Sequence, residues 1–342
     1  MSFKKVQKIP EPAEIIEALP ISEDVRKIKK ARDREIAEIF TGESDRFLMI
    51  VGPCSADNEE SVITYISRLA EVQEKVKDRM MIVPRIYTNK PRTTGEGYKG
   101  MLHQPDPEKK PNLVEGILAI RKMHIRAIRE SGMVCADEML YPENYEYLED
   151  LLGYIAVGAR SVENQQHRLT VSGTYMPVGM KNPTSGDISI MLNAIRAAQG
   201  EHTFIFRGWE VNTDGNPLTH AIMRGAVDKF GKSIANYHYE DIIYLIEEYE
   251  KRKLKHPAII VDTNHSNSDK QFAQQPRIAM EVVRNRQYDS RVRQYVKGLM
   301  VESYLEEGRQ EIGENTFGKS ITDPCLGWDA TERMIYDLAE LV

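Results

Sequence analysis

The stretch FLMIVGPCS, residues 47–55, joins an apolar run of strand length to a glycine, a proline and two side chains that can take part in chemistry. The run lacks period-two alternation, which is typical of a parallel strand buried on both faces. Runs of similar length recur at 80–86, 134–136, 154–157, 177–180, 203–206, 258–261 and 299–301. Helical periodicity lies between many of them. Eight strands alternating with helices predict a (β/α)8 TIM barrel of the α/β class, with a doubly wound open sheet as the alternative.

The sequence shows no low-complexity linker, so one catalytic barrel is predicted over residues 47–342, preceded by an N-terminal extension over residues 1–46. Ser22 can cap a helix that runs to about Phe40 and packs under the barrel or against another subunit. A hairpin insertion is predicted after the sixth strand, with NTDGNP at 212–217 as its turn.

Composition limits the classes of function. The chain has 342 residues, a formal net charge of −6 and 41% hydrophobic residues, so nothing at whole-chain level indicates nucleic acid binding. No stretch approaches the roughly 18 apolar residues of a membrane span, and the first residues lack a signal-peptide pattern. The three cysteines, Cys54, Cys135 and Cys325, have no redox or metal-ribbon spacing. These features predict a cytoplasmic protein without a nucleic acid or membrane partner.

Reactive residue types follow the predicted strands, where the active sites of barrels form. The eight segments are GPCS (52–55), PRIY (84–87), DEM (137–139), GAR (158–160), MKN (180–182), FRG (206–208), DTNHS (262–266) and VES (301–303). The segment KSITDPC, at 319–325, comes shortly after the last of them. One such segment is weak evidence, but eight in sequence are hard to explain by packing alone.

Four of these residues can hold a metal ion: Cys54, His265, Glu302 and Asp323. A lone buried cysteine is more often packing material, and a lone histidine is more often a hydrogen-bonded polar residue. Their joint position at strand ends 1, 7 and 8, and in the loop after strand 8, favours a shared site, because these strands are neighbours in a barrel. A mixture of sulfur, nitrogen and carboxylate ligands suits one divalent Mn, Fe, Co or Zn ion.

A second group is cationic. It comprises Arg85, Lys90, Arg92, Arg160, Lys181 and Arg224. Scattered surface cations usually form weak ion pairs, but Arg160 and Lys181 directly end apolar strands. A guanidinium offers a planar fork for phosphate or carboxylate, and an ammonium offers a compact charge. Several convergent cations therefore predict a polyanionic ligand that carries both phosphate and carboxylate.

With GPCS, KPRTT (90–94), GAR, PVGMKN (177–182), DTNHSNSDK (262–270), VES and KSITDPC, the chain resembles the type I 3-deoxy-D-arabino-heptulosonate 7-phosphate (DAHP) synthases. The resemblance is to the subgroup that contains the enteric enzymes regulated by aromatic amino acids, and it covers about residues 48–327. KPRTT is the most telling motif. The related 3-deoxy-octulosonate 8-phosphate synthases have a Lys-Ala-Asn-Arg-type motif at that place.

The resemblance implies that phosphoenolpyruvate, erythrose 4-phosphate and water give DAHP and inorganic phosphate, the first step of the shikimate pathway. It implies that Cys54, His265, Glu302 and Asp323 are the metal ligands. The residues implied to bind phosphoenolpyruvate are Arg85, Lys90, Gly158, Ala159, Arg160, Lys181 and Arg224. Those implied to face erythrose 4-phosphate are Arg92, Thr93 and Ser55. Glu138 and His167 lie in matched motifs and are candidates for orienting water or relaying protons, with the general base left unassigned.

The resemblance also implies a homodimer or homotetramer. One departure concerns regulation: SGTYM at 172–176 replaces a Ser-Gly-Leu-Ser run that lines the inhibitor pocket of the enteric enzymes. The ring of Tyr175 is expected to fill that pocket, so we predict weak or absent feedback by phenylalanine and tyrosine. Half-inhibition by either amino acid at sub-millimolar concentration would contradict this.

Three alternatives remain at the level of sequence. The first is a 3-deoxy-octulosonate 8-phosphate synthase that uses arabinose 5-phosphate, against which KPRTT argues. The second is a non-catalytic barrel that binds a phosphorylated ligand. The third is a Schiff-base aldolase with Lys181 as the amine, for which a metal requirement would be contrary evidence.

Overall fold

A computed structural model describes residues 2–92 and 94–342. Eight parallel strands form one sheet in the order β2-β1-β8-β7-β6-β5-β4-β3. Their bounds are β1 Phe47–Gly52, β2 Met80–Pro84, β3 Cys135–Glu138, β4 Leu152–Val157, β5 Val178–Lys181, β6 Thr219–Met223, β7 Ile259–Asp262 and β8 Val296–Glu302. A parallel bridge between Arg85 and Ala136 joins the two edges, β2 and β3. The predicted (β/α)8 barrel is confirmed.

Ten α-helices surround the barrel or precede it in the described residues. Their bounds are α1 Pro12–Ala18, α2 Glu23–Thr41, α3 Glu59–Val76, α4 Leu113–Ser131, α5 Gln165–Ser172, α6 Ile188–Ala198, α7 Tyr239–Arg252, α8 Gln275–Tyr288, α9 Ser290–Tyr295 and α10 Trp328–Ala339. The buried residues of α7 are Ile242, Leu245, Ile246 and Tyr249, which is the stripe expected of an amphipathic helix. Among the residues described, no helix is both long and apolar enough to span a membrane.

The N-terminal helix α2 packs beneath the barrel. Ser22 caps it, since its hydroxyl accepts a hydrogen bond from the Val25 N–H, and Gly42 ends it at φ 84°. Phe40 stacks on the ring of His220, with 4.3 Å between the centroids. The helix was predicted to pack under the barrel or against another subunit, and the first of these contacts is confirmed. The division of the chain at residue 46 stays a prediction.

The prediction for the sixth barrel strand is wrong. Residues 203–206 belong to an antiparallel hairpin, His202–Phe206 with Trp209–Thr213, which comes before β6. A shorter hairpin, Ala226–Val227 with Ser233–Ile234, does follow β6. The turn of the first hairpin is Arg207-Gly208, at φ 48° and 84°, and not NTDGNP. Alternate residues of this first hairpin are exposed, whereas all of β6 is buried. The real strand, THAIM, does not stand out in the sequence because two of its residues are polar.

His220 in β6 is fully buried and neutral. Its Nε2 lies 2.7 Å from the Tyr154 hydroxyl, and its Nδ1 lies 2.9 Å from Leu218 O. Burial lowers the pKa of His220 from 6.5 to about 4. Between these two pH values His220 is therefore protonated in the unfolded chain and neutral in the folded chain. The stability that this group provides is present above pH 6.5 and is lost as the pH falls towards 4.

We expect the free energy of unfolding to fall by about 3 kcal/mol across that interval because of His220. Urea unfolding at about pH 7.5 and about pH 4.5 measures the difference, with His220→Gln as the comparison. The variant removes the titration, so its loss of stability in acid should be smaller than that of the wild type. Equal losses in the two proteins would show that His220 is not responsible.

Candidate active site

A cavity of about 550 Å³ opens at the carboxyl ends of the barrel strands. Twelve of the predicted site residues line it: Cys54, Arg85, Lys90, Arg92, Glu138, Gly158, Ala159, Arg160, Lys181, Arg224, His265 and Asp323. The parallel strands explain this convergence, because the residue that follows each strand must emerge at the same rim. The cavity is therefore both cationic and rich in potential metal ligands.

Three predicted metal ligands form a tight cluster. Cys54, Glu302 and Asp323 each offer one ligand atom, and these atoms all lie within 4.8 Å of one another. Burial, and then the charge of Glu302, raises the pKa of the Cys54 thiol. Two carboxylates and a thiol in a buried site favour a cation, and one lies beside them: the Lys90 ammonium is 2.7 Å from Cys54 Sγ and 2.8 Å from Asp323 Oδ2. The donor set fits a divalent ion of borderline softness.

His265 lies at the edge of this cluster. Its Nε2 is 3.8 Å from Glu302 Oε1, but the ring is not within 4.8 Å of all three other ligands. Its Nδ1 is 2.9 Å from Asp262 Oδ2 at an angle that makes no hydrogen bond. The backbone of His265 has φ 51°, an uncommon conformation for a non-glycine residue, which is typical of functional sites.

Cations neutralise the acidic ligands. Burial alone would lower the pKa of Lys90, but Cys54 and Asp323 raise it above its usual value. Burial would likewise raise the pKa of Asp323, and Lys90 holds it far below the usual value. Glu302 is 1% exposed, and its Oε1 accepts a 2.7 Å hydrogen bond from Arg85 Nη2. Both carboxylates are therefore ionised and ready to bind a cation.

Two buried guanidiniums keep donors unused. Arg85 donates to Pro53 O, Cys54 O and Glu302, and its guanidinium lies 3.7 Å from the ring centre of Tyr87, yet its Nη1 has no partner. Arg224 is 8% exposed, and its Nη1 is also unpartnered. Burial lowers the pKa of Arg224. Because a buried unpaired N–H is costly, these two donors indicate an anionic ligand.

Lys181 and Asp262 form a buried pair. The Lys181 ammonium donates a 3.0 Å hydrogen bond to Asp262 Oδ2. Burial would raise the pKa of Asp262, but His265 and Lys181 hold it well below the usual value. The carboxylate of Asp262 thus connects a cation of the cavity with a predicted metal ligand.

Glu138 reaches the cavity through space left by a glycine. A Cβ at Gly158 would lie only 2.1 Å from Glu138 Oε1, so a larger residue there would displace the carboxylate. Burial raises the pKa of Glu138 in spite of the opposing charge of Lys181. A buried carboxyl whose pKa is raised in this way suits a group that takes up and releases a proton beside a substrate.

The remaining predicted residues differ in their relation to the cavity. Arg92 lines the cavity and donates from Nε to Tyr98 O, while Thr93 falls outside the described residues. Ser55 is buried against the Thr322 hydroxyl at 2.9 Å and does not line the cavity. His167 also lies outside the lining, with Nε2 3.0 Å from Leu140 O. Neither Ser55 nor His167 is therefore among the residues that line this cavity, and their roles stay predictions.

The segment FRG does not end a barrel strand. Its arginine, Arg207, contacts Glu11 of the N-terminal segment and two residues that follow β3. Arg207 Nη1 donates to Glu143 O at 2.8 Å, and Nη2 donates to Glu11 Oε2 at 3.0 Å. Its Nε lies 3.0 Å from Glu146 Oε2. The sixth reactive strand end is instead Arg224, directly after β6.

The side chain of Tyr175 is 89% exposed, so its ring fills no cavity within the described part of the chain. The expectation that it closes an inhibitor pocket thus has no support inside one subunit. Weak or absent feedback stays a prediction.

The sequence matches the model of the family described as "DAHP synthetase I family" over residues 19–335. The chain belongs to this family. It is 35% identical to Phospho-2-dehydro-3-deoxyheptonate aldolase of Haemophilus influenzae, over 99% of this chain and 93% of that protein. It is also 35% identical to the Phe-sensitive aldolase of Escherichia coli K12, over 100% of this chain and 97% of the relative. Its identity to the Trp-sensitive aldolase of Enterobacter agglomerans is 37%, over 94% and 92% respectively.

A solved structure agrees. The chain superposes on Phospho-2-dehydro-3-deoxyheptonate aldolase from Francisella tularensis with a TM-score of 0.92 and 29% identity, covering 100% of this chain and 98% of the other. The predicted membership of the DAHP synthases is confirmed, and the octulosonate alternative is not favoured.

Several residues that hold the site of this family member have no role in the sequence-based prediction. Asp262 stands within DTNHS, but its contact with Lys181 is not foreseeable from the motif. Asn264 donates from Nδ2 to Glu302 Oε2 at 2.7 Å. Gln275 donates to Glu302 O and accepts from the Glu302 N–H. For Asp262 and Asn264, a carboxylate or amide at or just after the end of a strand is the signal that the sequence offers.

Proposed function

We propose that this chain is a DAHP synthase. It condenses phosphoenolpyruvate with erythrose 4-phosphate and water, and releases DAHP and inorganic phosphate, which is the first step of the shikimate pathway. One observation carries the proposal: a single cavity is lined by two buried guanidiniums with unpaired donors, Arg85 and Arg224, and by Cys54 and Asp323, whose ligand atoms cluster with that of Glu302. Such a site suits a small polyanion beside an electrophile.

Phosphoenolpyruvate carries a phosphate and a carboxylate, which need several donors at fixed positions. We assign these groups to Arg85, Arg160, Lys181 and Arg224, with backbone contacts at Gly158 and Ala159. Arg85 and Arg224 are supported by their unpaired Nη1 atoms, and Lys181 by its rigid pairing with Asp262. Holding both anions of the substrate fixes carbon 3 towards the second substrate, which lowers the barrier by orientation.

Erythrose 4-phosphate enters above this pocket in our assignment. Arg92 on the cavity wall is supported as a phosphate ligand, and Thr93 beside it is assigned from the family motif alone. We assign Lys90 to phosphoenolpyruvate as well; its ammonium contacts Cys54 and Asp323. Its ammonium can donate to an oxygen of either substrate.

We infer that one divalent ion, Mn, Fe, Co or Zn, is held by Cys54, His265, Glu302 and Asp323. The sulfur of Cys54 and the two carboxylates lie within 4.8 Å of one another, and His265 is adjacent. When bound, such an ion acts as a Lewis acid that polarises the aldehyde of the second substrate.

The chain's own residues account for the other steps. Carbon 3 of phosphoenolpyruvate forms a bond to the aldehyde carbon, water adds at carbon 2, and the phosphate leaves with its bridging oxygen. Lys181 and Arg224 stabilise the negative charge on the substrate. Glu138 accepts one proton from the attacking water and returns it to the former aldehyde oxygen, which becomes a hydroxyl, while the second proton of the water leaves with the phosphate. The raised pKa of Glu138 supports this role, since it brings the carboxyl closer to neutral pH.

The test is phosphate release with phosphoenolpyruvate and either erythrose 4-phosphate or arabinose 5-phosphate. We expect release with the four-carbon aldehyde and almost none with the five-carbon aldehyde or with phosphoenolpyruvate alone. Preference for arabinose 5-phosphate would replace the assigned substrate. Binding of phosphoenolpyruvate without turnover of either aldehyde would favour the non-catalytic barrel.

We also propose that the chain forms a homodimer or homotetramer. Support comes from large apolar side chains that remain exposed on one chain: Ile205 and Trp209 on the hairpin are 77% and 75% exposed, and Phe3 is 91% exposed. Ile205 pairs across the hairpin with Glu210, and Trp209 with Phe206, so each face of the hairpin carries an exposed apolar side chain that a second subunit can cover. Light scattering of the purified protein measures the oligomeric state.

A further inference from the structure

Three asparagines lie next to Lys181 and Arg224, two cations that line the cavity, and have no part in the reaction proposed above. Asn182 directly follows Lys181 at the end of β5 and is 0% exposed. Asn236 is half-buried, and Asn267, two residues after His265, is 5% exposed. Buried carboxamides that are fully bonded tend to hold a single local arrangement.

Asn182 continues the pairing of β5 with β6 beyond the last residue of the ladder. Its backbone N–H donates to Ile222 O at 3.1 Å. Its side chain binds the next two residues after β6: Oδ1 accepts a hydrogen bond from the Arg224 N–H at 2.9 Å, and Nδ2 donates one to Gly225 O at 2.9 Å. One carboxamide therefore binds the backbone on both sides of the Arg224–Gly225 peptide.

Asn236 and Asn267 extend this connection to β7. Asn236 Nδ2 donates to Asn182 Oδ1 at 3.2 Å, and Asn236 Oδ1 accepts from the Gly225 N–H at 2.8 Å. Asn267 Oδ1 accepts from the Asn236 N–H, while its Nδ2 donates to Met223 O and Asp262 O. The three carboxamides thus link the ends of β5, β6 and β7.

The backbone at the centre of this linkage is closely packed. Gly225 has φ 76°, and a Cβ there would lie 2.7 Å from the backbone nitrogen of Asn267. A residue with a side chain would have to separate the two loops. The close approach shows that the spacing of the strand ends is fixed at this point.

Arg224 depends on this backbone for its position. Its side chain makes no ion pair within 4 Å among the described residues, and its Nη1 has no hydrogen-bond partner. Lys181, in contrast, is held by Asp262. Because the side chain of Arg224 is not anchored by another charge, its place in the cavity follows from the backbone that Asn182 binds.

We propose that Asn182 is a positioning residue that sets the spacing between Lys181 and Arg224, and thereby the affinity for the phosphate and carboxylate of phosphoenolpyruvate. This inference rests on the proposed function. Asn182 touches no substrate and acts only through the peptide after Arg224. Loss of the Asn182 side chain should therefore weaken the binding of phosphoenolpyruvate and leave the binding of the aldehyde unchanged.

The experiment compares Asn182→Ala with Asn216→Ala. Asn216 is 1% exposed and is equally well bonded: Nδ2 donates to Thr174 Oγ1 and Met176 O, and Oδ1 accepts from the Leu218 N–H. It precedes β6 and lies at the opposite end of that strand from Arg224. Both variants lose a buried carboxamide, so both should lower the Tm.

For Asn182→Ala we expect KM for phosphoenolpyruvate, and its Kd by calorimetry without aldehyde, to rise about tenfold. KM for erythrose 4-phosphate should stay within about twofold of the wild type. Asn216→Ala should leave both KM values within about twofold, because a partly unfolded preparation lowers kcat and not KM. An unchanged Kd in Asn182→Ala, or an equal rise in Asn216→Ala, overturns the inference.

If Asn182→Ala does not fold, Asn236→Ala removes one of the bonds to Asn182 at a half-buried site. A smaller rise in the same Kd is expected, and no rise overturns the inference. A wild type that binds phosphoenolpyruvate but turns over neither aldehyde refutes the proposed function, while the comparison of Kd values still decides the role of Asn182.

Discussion

Replacement of Cys54 by alanine is expected to reduce phosphate release by more than about 100-fold and to remove the bound metal. Cys54 supplies the only sulfur of the ligand cluster, and its Sγ lies 3.5 Å from Asp323 Oδ2. Alanine leaves two carboxylates that Lys90 and Arg85 already neutralise. The cluster then retains too few free donors for a borderline ion. Turnover and metal content of the purified variant measure both losses.

Cys135→Ala is the matched control. Cys135 is buried like Cys54, at 0% against 1% exposed, but it begins β3 and therefore lies at the opposite end of the barrel from the cavity. This variant should keep its metal and most of its turnover in spite of some loss of stability. If Cys54→Ala behaves like Cys135→Ala, the metal site does not include Cys54.

Lys181→Met is expected to lower kcat/KM for phosphoenolpyruvate by about 1000-fold. The substitution removes a buried cation from the cavity and leaves the Asp262 carboxylate, 1% exposed at its side chain, beside His265, whose pKa is lowered by burial. An uncompensated buried charge is strongly unfavourable. Steady-state kinetics with phosphoenolpyruvate varied, together with a melting curve, separate loss of binding from loss of fold.

Lys29→Met provides the comparison, because Lys29 is a buried lysine that pairs with an aspartate, Asp33, on α2. Its kcat/KM should stay close to the wild-type value. Lys181→Arg tests the Schiff-base alternative: an arginine keeps the charge but cannot form an imine. Borohydride-dependent labelling of the wild type at Lys181, lost in Lys181→Arg, would contradict the role of Lys181 as a cation that only binds phosphoenolpyruvate.

The barrel was predictable because its strands are buried on both faces and therefore read as short apolar runs. Seven of the eight strands were found in this way. The sixth was not, because β6 contains Thr219 and His220, which the fold accommodates through a hydrogen bond of His220 to Tyr154. The hairpin resembles a barrel strand in sequence because Phe204, Ile205 and Phe206 are apolar, although its residues are only half-buried or exposed.

The site was predictable to the extent that it follows strand ends. Cys54, Lys181, His265 and Glu302 emerge at one rim because parallel strands place them there. Sequence position does not determine where a side chain points on a helix or in a loop, and for that reason His167 and Ser55 were expected at a cavity that they do not line. The unpaired Nη1 atoms of Arg85 and Arg224 depend on distances across the barrel, which no local motif contains.

Titration of metal-free protein with Mn²⁺ tests the central claim most directly, with phosphate release from phosphoenolpyruvate and erythrose 4-phosphate as the signal. The claim is that one ion and one polyanion pocket act together in a single cavity. We predict no release without metal, a linear rise, and a plateau at one ion per chain. Full turnover by the metal-free protein, or a plateau that Cys54→Ala shares, would contradict the claim.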